Sequence, residues 1–333
     1  MDMQTGIYIL EACREYSSNV AAIDIRLMHN EISKEKYPTV LLEEIKSLGF
    51  NPELIIVMKG LELDYDILLS VKNQCPKAKI VNWFFDKFIG DKPIWEQIPY
   101  YDTIRFYDYY FCSLKGVADR LYDMGFKNAV YLDEACSPEY NDCPYYNNFQ
   151  VKKYGSDVAF CGTIGLTSMH KHRIDILEHI IKEGFDLKIW GEILNTKSVP
   201  ESLKKVCMNQ SVINNKHSLV CNSSLINIGI DQDQTLEFGH SARAYRVMCA
   251  GGLYVCLYVN GLEKMFKINH KGQPITEEQE MVVFYDKQHL TKVLDELLEK
   301  DELRKKIAEN GQKCVLDKHT FSHRIKEMLE VIK

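Results

Sequence analysis

Three times along this chain of 333 residues a helical pattern ends in Gly-Phe and runs into a short apolar stretch. Ser47-Leu48-Gly49-Phe50 precedes Glu53–Val57, Asp123-Met124-Gly125-Phe126 precedes Ala129–Leu132, and Lys182-Glu183-Gly184-Phe185 precedes Leu187–Trp190. Glycine takes the left-handed conformation after a helix at no steric cost, and the phenylalanine then folds back onto the last turn. Each junction therefore reads as a helix handing over to a strand. Helices alternating with short apolar strands specify a parallel sheet.

Other runs extend the scheme. The first half offers strands at Gly6–Leu10, Ala22–Ile25, Lys79–Phe85 and Tyr109–Cys112; the second offers Val158–Cys161, Leu225–Ile230, Leu253–Tyr258 and Met281–Tyr285. Between the halves, residues 137–155 are rich in Pro, Asn, Asp and Ser and lack periodicity, which marks a linker. The expected domains are 1–145 and 146–333, with the last helix free to return to the first. Two stripes in the tail, Leu290/Val293/Leu294/Leu297/Leu298 and Phe321/Ile325/Met328/Leu329/Ile332, are core-facing helix patterns.

Composition narrows the class. Hydrophobic residues make up 46% and charged residues 26%, as in a folded chain. A net charge of −6 argues against a broad nucleic-acid surface. No apolar run approaches the roughly 20 residues that span a bilayer, and the N-terminus lacks the basic start and apolar core of a signal peptide. The cysteines number eleven, include no Cys-x-x-Cys, and place Cys161, Cys249 and Cys256 inside apolar runs. They read as reduced thiols, so the expected location is the cytoplasm, with no metal site.

Ligands of open α/β sheets bind beyond the carboxyl ends of the strands, and two such domains would place those ends around a shared cleft. The residues in that position are Lys59-Gly60, Asp86, Ser113, Asp133-Glu134, Gly162-Thr163, Gly191-Glu192 and Asp231. The segment Ser241-Ala-Arg243-Ala-Tyr-Arg246-Val-Met-Cys-Ala-Gly-Gly252 reads as a short helix that opens on a hydroxyl and an arginine. Such a start suits an anion such as a diphosphate. Phe160-Cys-Gly162-Thr163-Ile-Gly165 followed by Arg173 is a glycine turn with a forked cation, also suited to phosphate or simply a tight turn. Trp190-Gly191-Glu192 offers backbone and carboxylate to a base or a sugar hydroxyl. Asp86 is a candidate base or sugar-positioning carboxylate, or the cap of the next helix; Lys59, at the end of another strand, is similarly placed on the acceptor side. The aromatics Tyr100, Tyr101, Phe106, Tyr107, Tyr109, Tyr110 and Phe111 read as packing before stacking, and His170 and His172 as a solvated helix start before a metal pair.

Several of these segments carry a resemblance. Residues 52–60, Val-Asn-Trp-Phe-Phe-Asp (81–86), Val-Ala-Phe-Cys-Gly-Thr (158–163) with Arg173, Lys-Ile-Trp-Gly-Glu (188–192), 241–252, and the tail from Val282-Val-Phe-Tyr-Asp286 through Lys318-His-Thr-Phe321 and Arg324 resemble the CgeB-type glycosyltransferases. The resemblance runs from about residue 50 to the end and is most specific in the tail. It implies a GT-B fold of two Rossmann-like domains facing across a cleft, the second holding a nucleotide-sugar (a UDP-sugar foremost) and the first the acceptor. It also implies a retaining reaction with no cofactor and no obligatory metal. On that pattern Gly162, Thr163, Arg173, Trp190, Gly191, Glu192, Asp231, Ser241, Arg243 and Arg246 serve the donor. One position departs: Arg246 stands where related enzymes commonly carry a glutamate. An arginine cannot accept hydrogen bonds from ribose hydroxyls. Either Arg246 turns to phosphate, or Asp231 or Glu237 holds the ribose, or donor binding is lost. The rivals are therefore a non-catalytic nucleotide- or sugar-binding module and a glycosyltransferase acting on modified DNA, beside glycan or protein acceptors.

Overall fold

The structure is a computed structural model and describes residues 4–86, 101–142, 147–165, 171–231 and 237–333. It divides into two compact units, Met1–Asp133 with Arg324–Lys333, and Glu134–His323. The division follows Asp133, ahead of the 145/146 boundary expected, and the chain's last ten residues count with the first unit. Part of the expected linker, 143–146, lies outside the described residues.

In the first unit, helices α1 (Gln4–Arg14), α2 (Ile25–Glu31) and α3 (Tyr37–Ser47) precede β1 (Leu54–Met58), α4 (Tyr65–Gln74), β2 (Lys79–Phe84), β3 (Tyr109–Cys112), α5 (Lys115–Asp123) and β4 (Ala129–Tyr131). The four strands are parallel in the order β1-β2-β3-β4. Two expected strands are corrected here. Gly6–Leu10 lies inside α1, where Tyr8, Ile9 and Ala12 are buried at helical spacing. A short apolar run fits either period, and the spacing of its buried residues decides. Ala22–Ile25 instead leads into α2, because the Asp24 carboxylate accepts from Leu27 N at 2.9 Å and caps it.

The second unit carries α6 (Pro138–Asn141), α7 (Asn148–Tyr154), β5 (Val158–Cys161), α8 (Lys171–Lys182), β6 (Leu187–Trp190), α9 (Glu201–Val206), α10 (Asn215–Ser223), β7 (Ile226–Gly229), α11 (Arg243–Cys249), β8 (Tyr254–Leu257), β9 (Val282–Phe284), α12 (Lys287–Glu299) and α13 (Asp301–Lys318). Helix α14 (Phe321–Ile332) closes the chain. The sheet is parallel with order β6-β5-β7-β8-β9. The chain leaves β5 toward β6, then crosses back to lay β7 on the other side. That reversal is a topological switch point between β5 and β7.

The Gly-Phe junctions do what the sequence implied. After α5, Gly125 N donates to Tyr122 O and Phe126 N to Leu121 O; after α8, Gly184 N donates to Ile181 O and Phe185 N to Ile180 O. Both glycines have positive φ, and the paired bonds are those of a Schellman ending. Helix α11 ends the same way through Gly251 and Gly252. Strands β5, β7, β8 and β9 are almost wholly buried, so the sheet reads as continuous Val/Ile/Phe runs and not as an alternating pattern. Among the described residues no helix is long and apolar enough to cross a membrane.

Candidate functional site

At the switch point, β5 ends in Cys161-Gly162-Thr163, β6 in Trp190-Gly191-Glu192 and β7 in Gly229-Ile230-Asp231. Glycine is required where these ends meet. A Cβ on Gly191 would stand 2.2 Å from the Gly162 carbonyl oxygen, and one on Gly229 would stand 2.0 Å from the Tyr254 phenol oxygen. Gly162 N donates to Trp190 O at 2.9 Å, so the two strand ends lie backbone against backbone. The Thr163 N–H finds no acceptor among the described residues.

Two guanidinium groups converge here. Arg173, from α8, is buried; its Nη1 donates to Thr163 O at 2.8 Å and its Nη2 to Ile230 O at 3.0 Å. Arg243, opening α11, donates from Nε to Cys161 O at 2.9 Å, and from Nη1 to Asp231 Oδ1 and Ser241 Oγ, both at 3.3 Å. Their central carbons lie 5.3 and 5.2 Å from the Phe160 ring centroid, within cation–π range. Burial, then repulsion from Arg243, brings Arg173 down to about 10, so it stays charged at neutral pH. Burial also works against the charge of Arg243, but Asp231, with Tyr254 and Cys161, outweighs it and holds that group above its ordinary value. The Arg243–Asp231 pair is largely shielded from water, with side-chain exposures of 15% and 6%.

The structure thus brings Gly162, Thr163, Arg173, Gly191, Asp231, Ser241 and Arg243 to one place. Their roles are specific. Arg173 spends its donors on backbone carbonyls and ties β5 to β7, contributing charge to the site and not a free fork. Ser241 lies before the helix cap, Ala242, and makes no cap bond; its hydroxyl accepts from Arg243 instead. The expected helix opening on a serine is corrected accordingly, and at seven residues α11 has only a modest dipole. Arg246, three residues after Arg243, is half-buried. Trp190 is buried against Tyr154, with ring centroids 5.3 Å apart, while Glu192 is exposed. Glu237 is taken by Lys264. His172 Nε2 meets the Asp231 carbonyl oxygen at 2.7 Å, fixing the end of β7; His170 lies outside the described residues.

In the first unit Lys59 and Asp86 come together, Nζ to Oδ2 at 2.7 Å, exposed by 42% and 54%. Lys59 (φ +60) and Gly60 (φ +68) form a left-handed turn pinned by Asn82, whose Nδ2 donates to Lys59 O at 3.0 Å. Of the expected aromatics, Tyr107, Tyr110 and Phe111 are core residues, and Tyr100 lies outside the described residues.

One constellation was missed by the sequence reading. His217 and Cys221, four apart on α10, face Cys161 at the end of β5, with one donor atom from each within 4.8 Å of the others. A hydrogen bond from Cys221, opposed by burial and aided by His217 and Arg243, brings the Cys161 thiol down to about 5. The His-x-x-x-Cys spacing was visible in the sequence; its meeting with Cys161 was not.

Residues 173–330 match the family model described as "Glycosyl transferase-like". Among solved structures, the chain is similar to a glycosyltransferase from Rickettsia africae (TM-score 0.58, 15% identity, covering 88% of this chain and 79% of that one). It is similar to an alpha-glucosyltransferase in complex with UDP and a 13-mer DNA containing a HMU base (0.61, 11%, 90% and 84%). A third is the catalytic domain of starch synthase IV from Arabidopsis thaliana, bound to ADP and acarbose (0.54, 11%, 87% and 76%). No curated protein matches. The fold is GT-B, with two parallel-sheet α/β units as expected. Family match and fold together support glycosyl transfer.

Proposed function

We propose that this chain is a GT-B glycosyltransferase, of CgeB type, that transfers a sugar from a UDP-sugar to an acceptor hydroxyl in the cytoplasm. The observation that carries the reading is the cluster of Arg243, Asp231, Gly162 and Gly191 at the β5/β7 switch point, most of it inside the stretch that matches the glycosyl transferase-like family. Two glycine-bare strand ends let an anion approach the backbone, with the Thr163 N–H as donor. Arg243 supplies a charge already oriented by three oxygens, and Arg173 adds to the field from behind. Fixed cations of this kind stabilise the charge that grows on a departing diphosphate, a reaction that needs no cofactor. Arg246 serves the phosphates, and the exposed Glu192 replaces the missing glutamate as acceptor for ribose or base. Asp86, held by Lys59 in the first unit, serves the acceptor or its proton; a retaining reaction does not depend on it.

A nucleotide-bound neighbour that holds DNA favours a second reading, transfer to a modified base. The net charge of −6 weighs against it.

Calorimetric titration with UDP, UDP-sugars and ADP, followed by assay of donor hydrolysis, tests the proposal. Binding with slow hydrolysis is expected, and Arg243→Ala weakens it at least tenfold. Binding without turnover under any acceptor would leave a non-catalytic module. Failure of every nucleoside diphosphate to bind would overturn the reading.

A further inference from the structure

Cys161, His217 and Cys221 bring three donors of the zinc-binding kind to one point from two elements. Residues four apart on a helix share a face, so the α10 pair presents its side chains to the end of β5 together. Cys221 is fully buried and Cys161 half-buried, so the thiols are shielded without being sealed off. The Cys221 sulfur lies 3.5 Å from His217 Nδ1 and 3.6 Å from Nε2. A tetrahedral zinc ion with Zn–S of about 2.3 Å and Zn–N of about 2.05 Å places those ligand atoms about 3.6 Å apart. The His217–Cys221 pair therefore already stands at the separation the ion demands, and the Cys161 sulfur lies within 4.8 Å of both.

We propose that Cys161, His217 and Cys221 form a zinc site that clamps α10 onto β5. Two sulfurs and one imidazole select zinc over hard cations such as magnesium or calcium, which take oxygen ligands. Binding requires both sulfurs as thiolates, and two thiolates neutralise the ion's charge, so the loaded site adds no net repulsion beside Arg243. Water takes the fourth position. The consequence is local: Cys161 also offers its carbonyl to Arg243 Nε, so the ion would hold the strand end that orients this arginine. The ion acts on structure and takes no part in transfer, so the site stands whether or not nucleotide binds.

The test uses the full chain, stripped by chelator under reducing conditions, and titrated with cobalt(II) and then zinc(II). One equivalent of cobalt should give the visible absorption of a tetrahedral site together with thiolate-to-metal charge transfer, and zinc should bleach both. His217→Gln and Cys221→Ser should each lower affinity for that equivalent at least tenfold, while Cys75→Ser, in the core of the first unit, leaves it unchanged. Circular dichroism of each variant checks that it folds, and the spectrum of the unaltered chain is decisive by itself. The proposal fails if no stoichiometric metal binds, or if the spectrum survives both substitutions in folded protein. A Cys161–Cys221 disulfide in the metal-free chain as isolated, before any reductant is added, would also overturn it.

Discussion

The two units are both parallel α/β sheets, yet their strand ends are used differently. In the first, the order β1-β2-β3-β4 advances without reversal, and the polar residues after β1 and β2, Lys59 and Asp86, form an ion pair open to water. In the second, the order β6-β5-β7-β8-β9 reverses at β5, and Asp231 after β7 is buried while Gly162 and Thr163 after β5 and Arg243 beside it are half-buried. A reversal sends neighbouring connections to opposite sides and opens a crevice where loops would otherwise cover the strand ends. Charges in such a crevice are weakly screened and interact strongly, whereas charges on a surface barely do. The same residue types therefore carry different weight in the two units.

The sharpest way to break this contrast is Asp231→Asn. Removing one partner of a buried pair strands the other, and about 3–5 kcal/mol of stability should be lost from the second unit, read by urea unfolding. A loss below about 1 kcal/mol would mean the pair is as solvated as Lys59–Asp86. Gly191→Ala comes next, because its Cβ would meet the backbone oxygen of Gly162, which cannot swing away as a side chain can. It should cost about 3 kcal/mol. Gly125→Ala, with nothing within 4 Å and only its positive φ at stake, should cost about 1 kcal/mol. Equal costs would show that the strand ends do not abut.

Zinc at 100 times its dissociation constant should stabilise the second unit by about 2.7 kcal/mol and leave the first unmoved; hydrogen exchange separates the two. Protection spread over both units would place the metal elsewhere. Arg243→Lys keeps the charge but loses the fork that reaches Cys161, Asp231 and Ser241. Affinity for UDP should fall about tenfold, equivalent to about 1.4 kcal/mol, and an unchanged isotherm would show that charge alone matters. The smallest effect is expected for Asp86→Asn, within about 1 kcal/mol by thermal unfolding, as for exposed ion pairs generally.

Much of the fold was legible in the chain. The Gly-Phe junctions announced the helix-to-strand handovers because a left-handed residue after a helix is a local demand that only a few residue types meet. All nine of the expected strands after residue 50 are strands in the structure, each built on a short apolar run. The N-terminal segment misled because Gly6–Leu10 is too short for its period to be read, and its burial pattern is set by what packs on it. At the candidate site, Gly162, Gly191 and Asp231 were readable as strand-end residues. That Arg173 would turn its donors to Thr163 and Ile230, or that Ser241 would face Arg243 instead of capping a helix, was not.

What the sequence determined by itself is the grammar of alternating helix and strand, because turn conformation and burial periodicity are properties of neighbours along the chain. Only the tertiary structure decided which strand ends meet. Residue 161 lies far in sequence from 217, 221, 231 and 243, and the cluster exists because the chain doubles back at β5 and carries α10 and α11 to the ends of β5 and β7. Proximity of that kind is created by the crossover connections, which no local pattern encodes.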